Sequence, residues 1–378
     1  MAVLTEEQTM LRDQASNWVR EKSPVTQFRA MRDRGFDTAF DPDIWKQIAE
    51  LGWCGILIPE EYGGSGMDYA TFGVILEQTG RGLSASPLLA SCLVGASALL
   101  LAGNEEQKKS WLPGIAAGDT IATLAVDEGP HHAPERTSLA ARAEGGGFVL
   151  SGEKTFVMEG FSADLLIVAA RTSGATGDQA GITLFLVPGD ADGIHRRRLT
   201  AVDHRGWADI TFDDVRLDAS AVLGEVDNGF PLLDGILDRA RAGIAAEMLG
   251  IGAEAFDRTL EYIKTREQFG QVIGSFQVIG HRAATHFMNM EMSRSCVEAA
   301  LAAIDEGAAN IPVMASLAKC QVGDFLHDMS NDMIQMHGGI GMTDEFDAGF
   351  FLKRARTTET VFGNQSFHRQ RYIGYFGI

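Results

Sequence analysis

Glu247 lies in the apolar run Ile244-Ala245-Ala246-Glu247-Met248-Leu249, where a carboxylate is partly desolvated and its proton affinity rises toward that of a general base. The alternative is a glutamate on a solvated helix flank, or one paired with a basic side chain of a neighbouring helix. Arg266 closes a long helical pattern, and Gly338, Gly339 and Gly341 follow one another closely. An arginine ending a helix usually just complements its dipole, and a lone Gly-Gly-x-Gly usually marks a turn, so neither binds a ligand by itself. His195-Arg196-Arg197-Arg198 is the densest basic cluster, better read as a charged strand or loop surface than as a phosphate site. His131 and His132 read as loop histidines. Met288 and Met292 share a helix face, and with Met290 they read as packing in a helix core. The four cysteines, Cys54, Cys92, Cys296 and Cys320, are scattered through apolar patterns and read as buried thiols. Nothing has the spacing of a metal site.

At 378 residues the chain predicts two or three domains. A hydrophobic share of 45% with 22% charged residues is that of a soluble globular protein. The net charge of −19 opposes nucleic-acid binding, which needs phosphates neutralised by Lys and Arg. Residues 82–104 carry no charge, but Ser, Gly and Pro87 interrupt them, so a buried helix is expected rather than a membrane span. The opening Met1-Ala2-Val3-Leu4-Thr5-Glu6-Glu7 lacks a basic segment followed by an apolar one, so a cytoplasmic location is expected.

Three regions must position these residues. Residues 1–119 read as helical, with helices over 6–19, 43–51 and 69–101, the last broken at Ser86-Pro87. Residues 120–223 hold short runs rich in Val, Ile, Leu and Phe at 121–126, 139–143, 148–150, 164–171, 182–187 and 210–215, which predict a small antiparallel β-barrel or sandwich. In residues 224–378, Pro312 alone interrupts the chain after Pro231, so long helices are allowed. Helices over 232–266, 276–305, 312–336 and 345–361 predict a four-helix bundle. The fold class is α+β and multidomain.

Tyr262-Ile263-Lys264-Thr265-Arg266-Glu267-Gln268-Phe269-Gly270-Gln271-Val272-Ile273-Gly274-Ser275-Phe276-Gln277 resembles a signature of the acyl-CoA dehydrogenase family. So do Gln335-Met336-His337-Gly338-Gly339-Ile340-Gly341 and the loop Pro59-Glu60-Glu61-Tyr62-Gly63-Gly64, in the family's order and spacing. The resemblance covers essentially the whole chain. It implies FAD as cofactor, placed where the barrel meets the bundle and reaching an adjacent subunit. Arg266, Gln268, Phe269, Gln277, Gln335, Gly338 and Gly339 would serve its adenine and pyrophosphate end. There Arg266 would supply a fixed cation, and the glycines would let the backbone approach closely. Phe156, Val157 and Met158 would lie at the flavin ring, with Asn364 also assigned to the cofactor. Asp238 and Arg241 match positions that contact the CoA arm or acyl region.

The sequence also departs from the family pattern. Met158 stands where a hydroxyl usually meets flavin N5, and it has none to donate. Residues 126–133 keep little of the usual flavin loop. Val361-Phe362-Gly363-Asn364 stands where the family usually reads Tyr-Glu-Gly-Thr, so Phe362 offers only its backbone N–H. Ala240, before Arg241, stands where a minority of the family carry the base instead. Glu247 is the remaining candidate base, on the face of Ala240 but about 10 Å along the axis. The expected reaction is α,β-dehydrogenation of an acyl-CoA to the trans-2-enoyl-CoA, with electron-transfer flavoprotein as acceptor and a homotetramer or heterotetramer as assembly. The alternatives are a non-catalytic or half-catalytic subunit of a heteromeric dehydrogenase, such as one degrading steroid side chains, and a flavin oxidase on the same fold.

Overall fold

The computed structural model describes residues 4–377, so the first three residues of the opening stretch lie outside the described residues. Along the chain the helices are α1 (Glu6–Lys22), α2 (Val25–Arg34), α3 (Pro42–Glu50), α4 (Tyr69–Arg81), α5 (Ala96–Ala102), α6 (Glu105–Ala117), α7 (Phe230–Thr265), α8 (Gln277–Asp305), α9 (Ile311–His337), α10 (Ala348–Thr360) and α11 (Gln365–Tyr375). The strands of the main sheet are β1 (Ala122–Ala125), β2 (Ala140–Glu144), β3 (Gly147–Val157), β4 (Leu165–Arg171), β5 (Ile182–Pro188), β6 (Ile194–Arg198), β7 (Ala208–Asp218) and β8 (Val222–Leu223). The chain forms two compact units. One comprises residues up to Ala30, Tyr69–Ser84 and Arg241 onward; the other comprises Met31–Asp68 and Ala85–Ala240.

In the first unit, α1 starts with a reciprocal cap in which Thr5 Oγ1 accepts from Gln8 N–H and Gln8 Oε1 accepts from Thr5 N–H, both at 3.1 Å. The long helices follow from the missing prolines, but the bundle expected from four helices carries a fifth. Asn364 Oδ1 accepts from Phe367 N–H at 2.9 Å and starts α11 there. Helices α4 and α7 touch backbone to backbone. A Cβ on Gly80 would lie 2.3 Å from Glu247 O, and one on Gly250 would lie 1.9 Å from Glu77 O, so only glycine fits at either crossing point. The methionine stripe needs correction. Met290 is buried, but Met288 and Met292 are exposed, because that face of α8 points away from its neighbours in this chain.

In the second unit the sheet runs β6-β7-β3-β2-β4-β5-β8, with β1 added beside β4. The expected barrel is corrected here, since the sheet stays open between the edges β6 and β8. It is not wholly antiparallel either, because β4 pairs in parallel with β1 and β2. The His195-Arg196-Arg197-Arg198 cluster is edge strand β6, where exposed arginines oppose further strand pairing. Arg196 donates to the carbonyls of Phe161, Ala163 and Gly189, which gives one of these cations a structural task. A fully buried π-helix, Leu88–Gly95, follows Pro87 within the uncharged stretch. Among the described residues no helix is long and apolar enough to cross a membrane. All four cysteines are free; Cys54 and Cys92 are buried, whereas Cys296 and Cys320 are only partly so.

Candidate functional site

In the second unit, register shifts in the β3–β7 ladder between Leu150 and Gly152 and between Lys154 and Val157 twist the end of β3. Phe156 takes φ +53° there and stacks on Trp207, with centroids 4.2 Å apart and planes 3° from parallel, while remaining 37% exposed. Val157 is buried, and the Met158 carbonyl accepts from Thr123 Oγ1 at 2.5 Å. The neighbouring loop is fastened by buried Lys154, whose Nζ donates to Glu128 Oε1 at 2.6 Å and to Val126 O at 2.8 Å. Burial would raise the Glu128 carboxyl, but Lys154 and the donors on Ser138 and Leu139 hold it below the usual carboxylate range. His132 Nδ1 lies 2.9 Å from Asp127 Oδ1 within this loop, and His131 lines a separate cavity of about 260 Å³. Asp238, on the part of α7 within this unit, is buried.

In the first unit, the end of α7 and the end of α9 are tied together. Tyr262 Oη donates to His337 O at 3.4 Å, and the two rings stack at 4.2 Å. Ile263, Ile273 and Met336 form the small core beneath them. Burial depresses the His337 imidazole, although its Nδ1 hydrogen bond to Met333 O at 2.7 Å opposes this, so the ring favours its neutral form. This frame presents polar groups outward. Arg266, Gln268, Gln277 and Gln335 are all exposed, and Phe269 is 93% exposed at φ +55°. Gly338 has φ +62°, and a Cβ added to Gly338 or Gly339 would meet nothing within 4 Å. Gln277 borders an open cavity of about 590 Å³ between α8 and α9, where Asp332 holds Arg282 and His286 at 2.9 Å each. An exposed guanidinium, amide donors, a free aromatic face and a side-chain-free turn fit the pyrophosphate and adenine end of a dinucleotide.

Of the readings open for Glu247, the geometry is that of a carboxylate paired with a basic side chain of another helix. It is buried, and Arg354 of α10 donates to its Oε1 from Nη2 at 2.6 Å and from Nε at 3.1 Å. Arg354 lies 107 residues away, so no local spacing could report the pair. Arg241 is also buried, with Nε donating to Phe362 O at 3.3 Å and its guanidinium 5.5 Å from the Phe367 ring. Phe362 itself sits at φ +57°, a left-handed conformation that costs a non-glycine residue about 1–3 kcal/mol. Asn364, expected at the cofactor, has its Oδ1 occupied in capping α11. Sequence reasoning missed Lys319, whose buried ammonium donates to three carbonyls around the Phe362 turn. Its signal was a lone charge inside the apolar run Ala315-Ser316-Leu317-Ala318-Lys319. Among the described residues no group of His, Cys, Asp and Glu could hold a metal ion.

Comparison with known proteins gives the family. The chain matches the acyl-CoA dehydrogenase N-terminal domain over residues 5–119, the middle domain over 125–215 and the C-terminal domain over 227–373. It is 30% identical to an acyl-CoA dehydrogenase of Bacillus subtilis over 97% of each chain. Among solved structures it resembles butyryl-CoA dehydrogenase of Megasphaera elsdenii, at 25% identity, a TM-score of 0.91 and 100% of both chains. It also resembles the Tcur3481-Tcur3483 steroid ACAD, at 28% identity, a TM-score of 0.89 and 98% of both chains. With all three domains matched in order, the chain belongs to the acyl-CoA dehydrogenase family, whose members are FAD-dependent flavoproteins.

Proposed function

We propose that this chain is a half-catalytic subunit of an acyl-CoA dehydrogenase, binding FAD and an acyl-CoA thioester while a related chain supplies the α-proton base. The carrying observation is the Glu247–Arg354 ion pair. The carboxylate is buried against the Arg354 guanidinium, which donates to its Oε1 twice, so Glu247 is engaged in a structural ion pair whose breaking would leave Arg354 buried without its partner. Phe362 retains a backbone N–H, the kind of donor that stabilises a thioester oxygen as negative charge develops. Bound FAD supplies the acceptor for the β-hydride. Arg266, Gln268, Phe269, Gln277, Gln335, Gly338 and Gly339 would hold its adenine and pyrophosphate end, and Phe156 and Val157 would serve its ring. Met158 offers no side-chain donor there, and Asn364 would contribute through its backbone, because its Oδ1 caps α11. Asp238 and Arg241 are both buried, so Arg241 would serve the acyl-CoA through the Phe362 carbonyl that it holds, and electron-transfer flavoprotein would take the electrons onward.

The exposed apolar side chains of Val278, Met288 and Met292 on one side of α8 support assembly through the bundle, since single-chain proteins rarely leave such a face bare. Relatedness to the Tcur3481-Tcur3483 steroid ACAD, named for two chains, favours a heterotetramer over a homotetramer. Light scattering on the flavin-loaded protein should find an oligomer; a stable monomer with bound, reducible flavin would exclude this assembly.

Arg266→Ala is expected to lower flavin affinity about 10- to 100-fold, since a charge-assisted contact to phosphate contributes about 1.5–3 kcal/mol. Equilibrium binding of FAD measured by fluorescence tests this, and wild-type affinity in the variant would remove Arg266 from the cofactor site.

A further inference from the structure

We infer that Lys319 is a positioning residue: by donating to carbonyls on both sides of Phe362, it fixes the turn that aims the Phe362 N–H. Lys319 Nζ lies on α9 and donates to Thr358 O at 2.9 Å, Glu359 O at 3.1 Å and Gly363 O at 3.1 Å. The first two are carbonyls at the end of α10 and the third lies beyond Phe362, so one ammonium bridges the whole reversal. Helix ends commonly finish on a glycine in the left-handed region or on a surface cation. Here the left-handed residue is Phe362, followed by Gly363 at φ +105°, and the cation is 1% exposed. A strained non-glycine turn persists only where its surroundings over-determine it. Lys319 provides three such contacts, and Arg241 from α7 provides a fourth at Phe362 O. The fold is tight on the far side as well, since a Cβ on Gly363 would lie 3.0 Å from His368 Nε2 of α11.

This placement also predicts how the turn responds to pH. Burial depresses Lys319 to about 7 against the pull of the Glu359 carboxylate on α10, while Arg241 on α7 lowers it further and Cys320 on its own helix raises it. Glu359 is itself held by Arg356 at 2.7 Å and lies 3.0 Å from His327 Nδ1. When the turn opens, Lys319 reaches water and its value returns toward 10.5. Between about 7 and 10.5 the open state therefore holds more protons than the closed one. Raising the pH through this window removes the cost of the buried charge while the neutral amine keeps two N–H donors for these carbonyls, so the closed turn is favoured by up to about tenfold per pH unit.

Hydrogen–deuterium exchange of the full chain, read on the peptide spanning residues 358–365 with intrinsic rates divided out, tests this. In the wild type, protection is expected to climb with pH above about 7, approaching tenfold per unit. In Lys319→Met the same peptide should exchange about tenfold or more faster near neutral pH and show no pH trend, while peptides from α8 keep their wild-type rates. A flat wild-type profile overturns the inference, as does an acceleration in the variant spread evenly over the chain. If Lys319→Met does not fold, Lys319→Gln, whose shorter neutral side chain cannot bridge all three carbonyls, is read on the same peptide, and wild-type protection there overturns the inference. The catalytic consequence rests on the proposed function, but the exchange experiment needs neither flavin nor thioester. Failure of the chain to bind acyl-CoA would thus sink the functional reading and leave this outcome readable.

Discussion

Phe362→Glu is expected to give the isolated, FAD-loaded chain a flavin-bleaching reaction with acyl-CoA that the wild type lacks. A positioned general base contributes roughly a hundredfold to ten-thousandfold, which sets the size of the gain. The backbone already supports the change, because glutamate and phenylalanine both lack a branched Cβ and meet the φ of +57° at similar cost. Arg241 holds the Phe362 carbonyl and Lys319 holds carbonyls before and after it, so the backbone carrying the new carboxylate would stay in place. Phe362→Gln is the control, having the shape without the base. Bleaching by Phe362→Glu no faster than by Phe362→Gln would mean that Phe362 does not occupy the base position.

Glu247→Leu is expected to destabilise the fold by about 3–5 kcal/mol, because Arg354 would stay buried without its carboxylate. Arg354→Met should cost a similar amount for the converse reason. The double substitution should recover most of the loss, since an apolar pair of similar volume often matches or exceeds a buried ion pair. Thermal unfolding of the four proteins as a double-mutant cycle measures the coupling. Additive losses would show that the contact does not stabilise the bundle and would return Glu247 to candidacy as a base.

Much of the helical architecture was legible because proline and glycine punctuate it. The boundaries of α7 to α10 lie within three residues of those read from proline placement and apolar spacing. Helix α11 escaped because it is short and mostly polar, and because its capping Asn364 had been given a cofactor role. Strand β6 was left open between strand and loop, since Ile194-His195-Arg196-Arg197-Arg198 has little of the apolar content that marks a strand. The openness of the sheet was not legible, because strand runs do not reveal whether the first and last strands meet.

The site divides along a similar line. Arg266, Gln277 and Gln335 enter through the resemblance to the family, and local sequence adds only that they stand at or near helix ends, where they are exposed. The pairings of Glu247 with Arg354 and of Lys319 with three distant carbonyls do not follow from local sequence, since they join elements far apart in the chain. Met288 and Met292 show the remaining gap: periodicity tells which residues share a face, but not whether this chain or another covers it.

Whether the α-proton base lies outside this chain is tested most directly by anaerobic titration of the isolated FAD-loaded protein with straight-chain, branched and steroid side-chain acyl-CoAs, repeated after adding a related chain that carries a catalytic glutamate. The visible flavin band is expected to persist with the isolated chain and to bleach once the partner is present. Bleaching of the isolated wild-type chain by any of these thioesters would contradict the half-catalytic assignment.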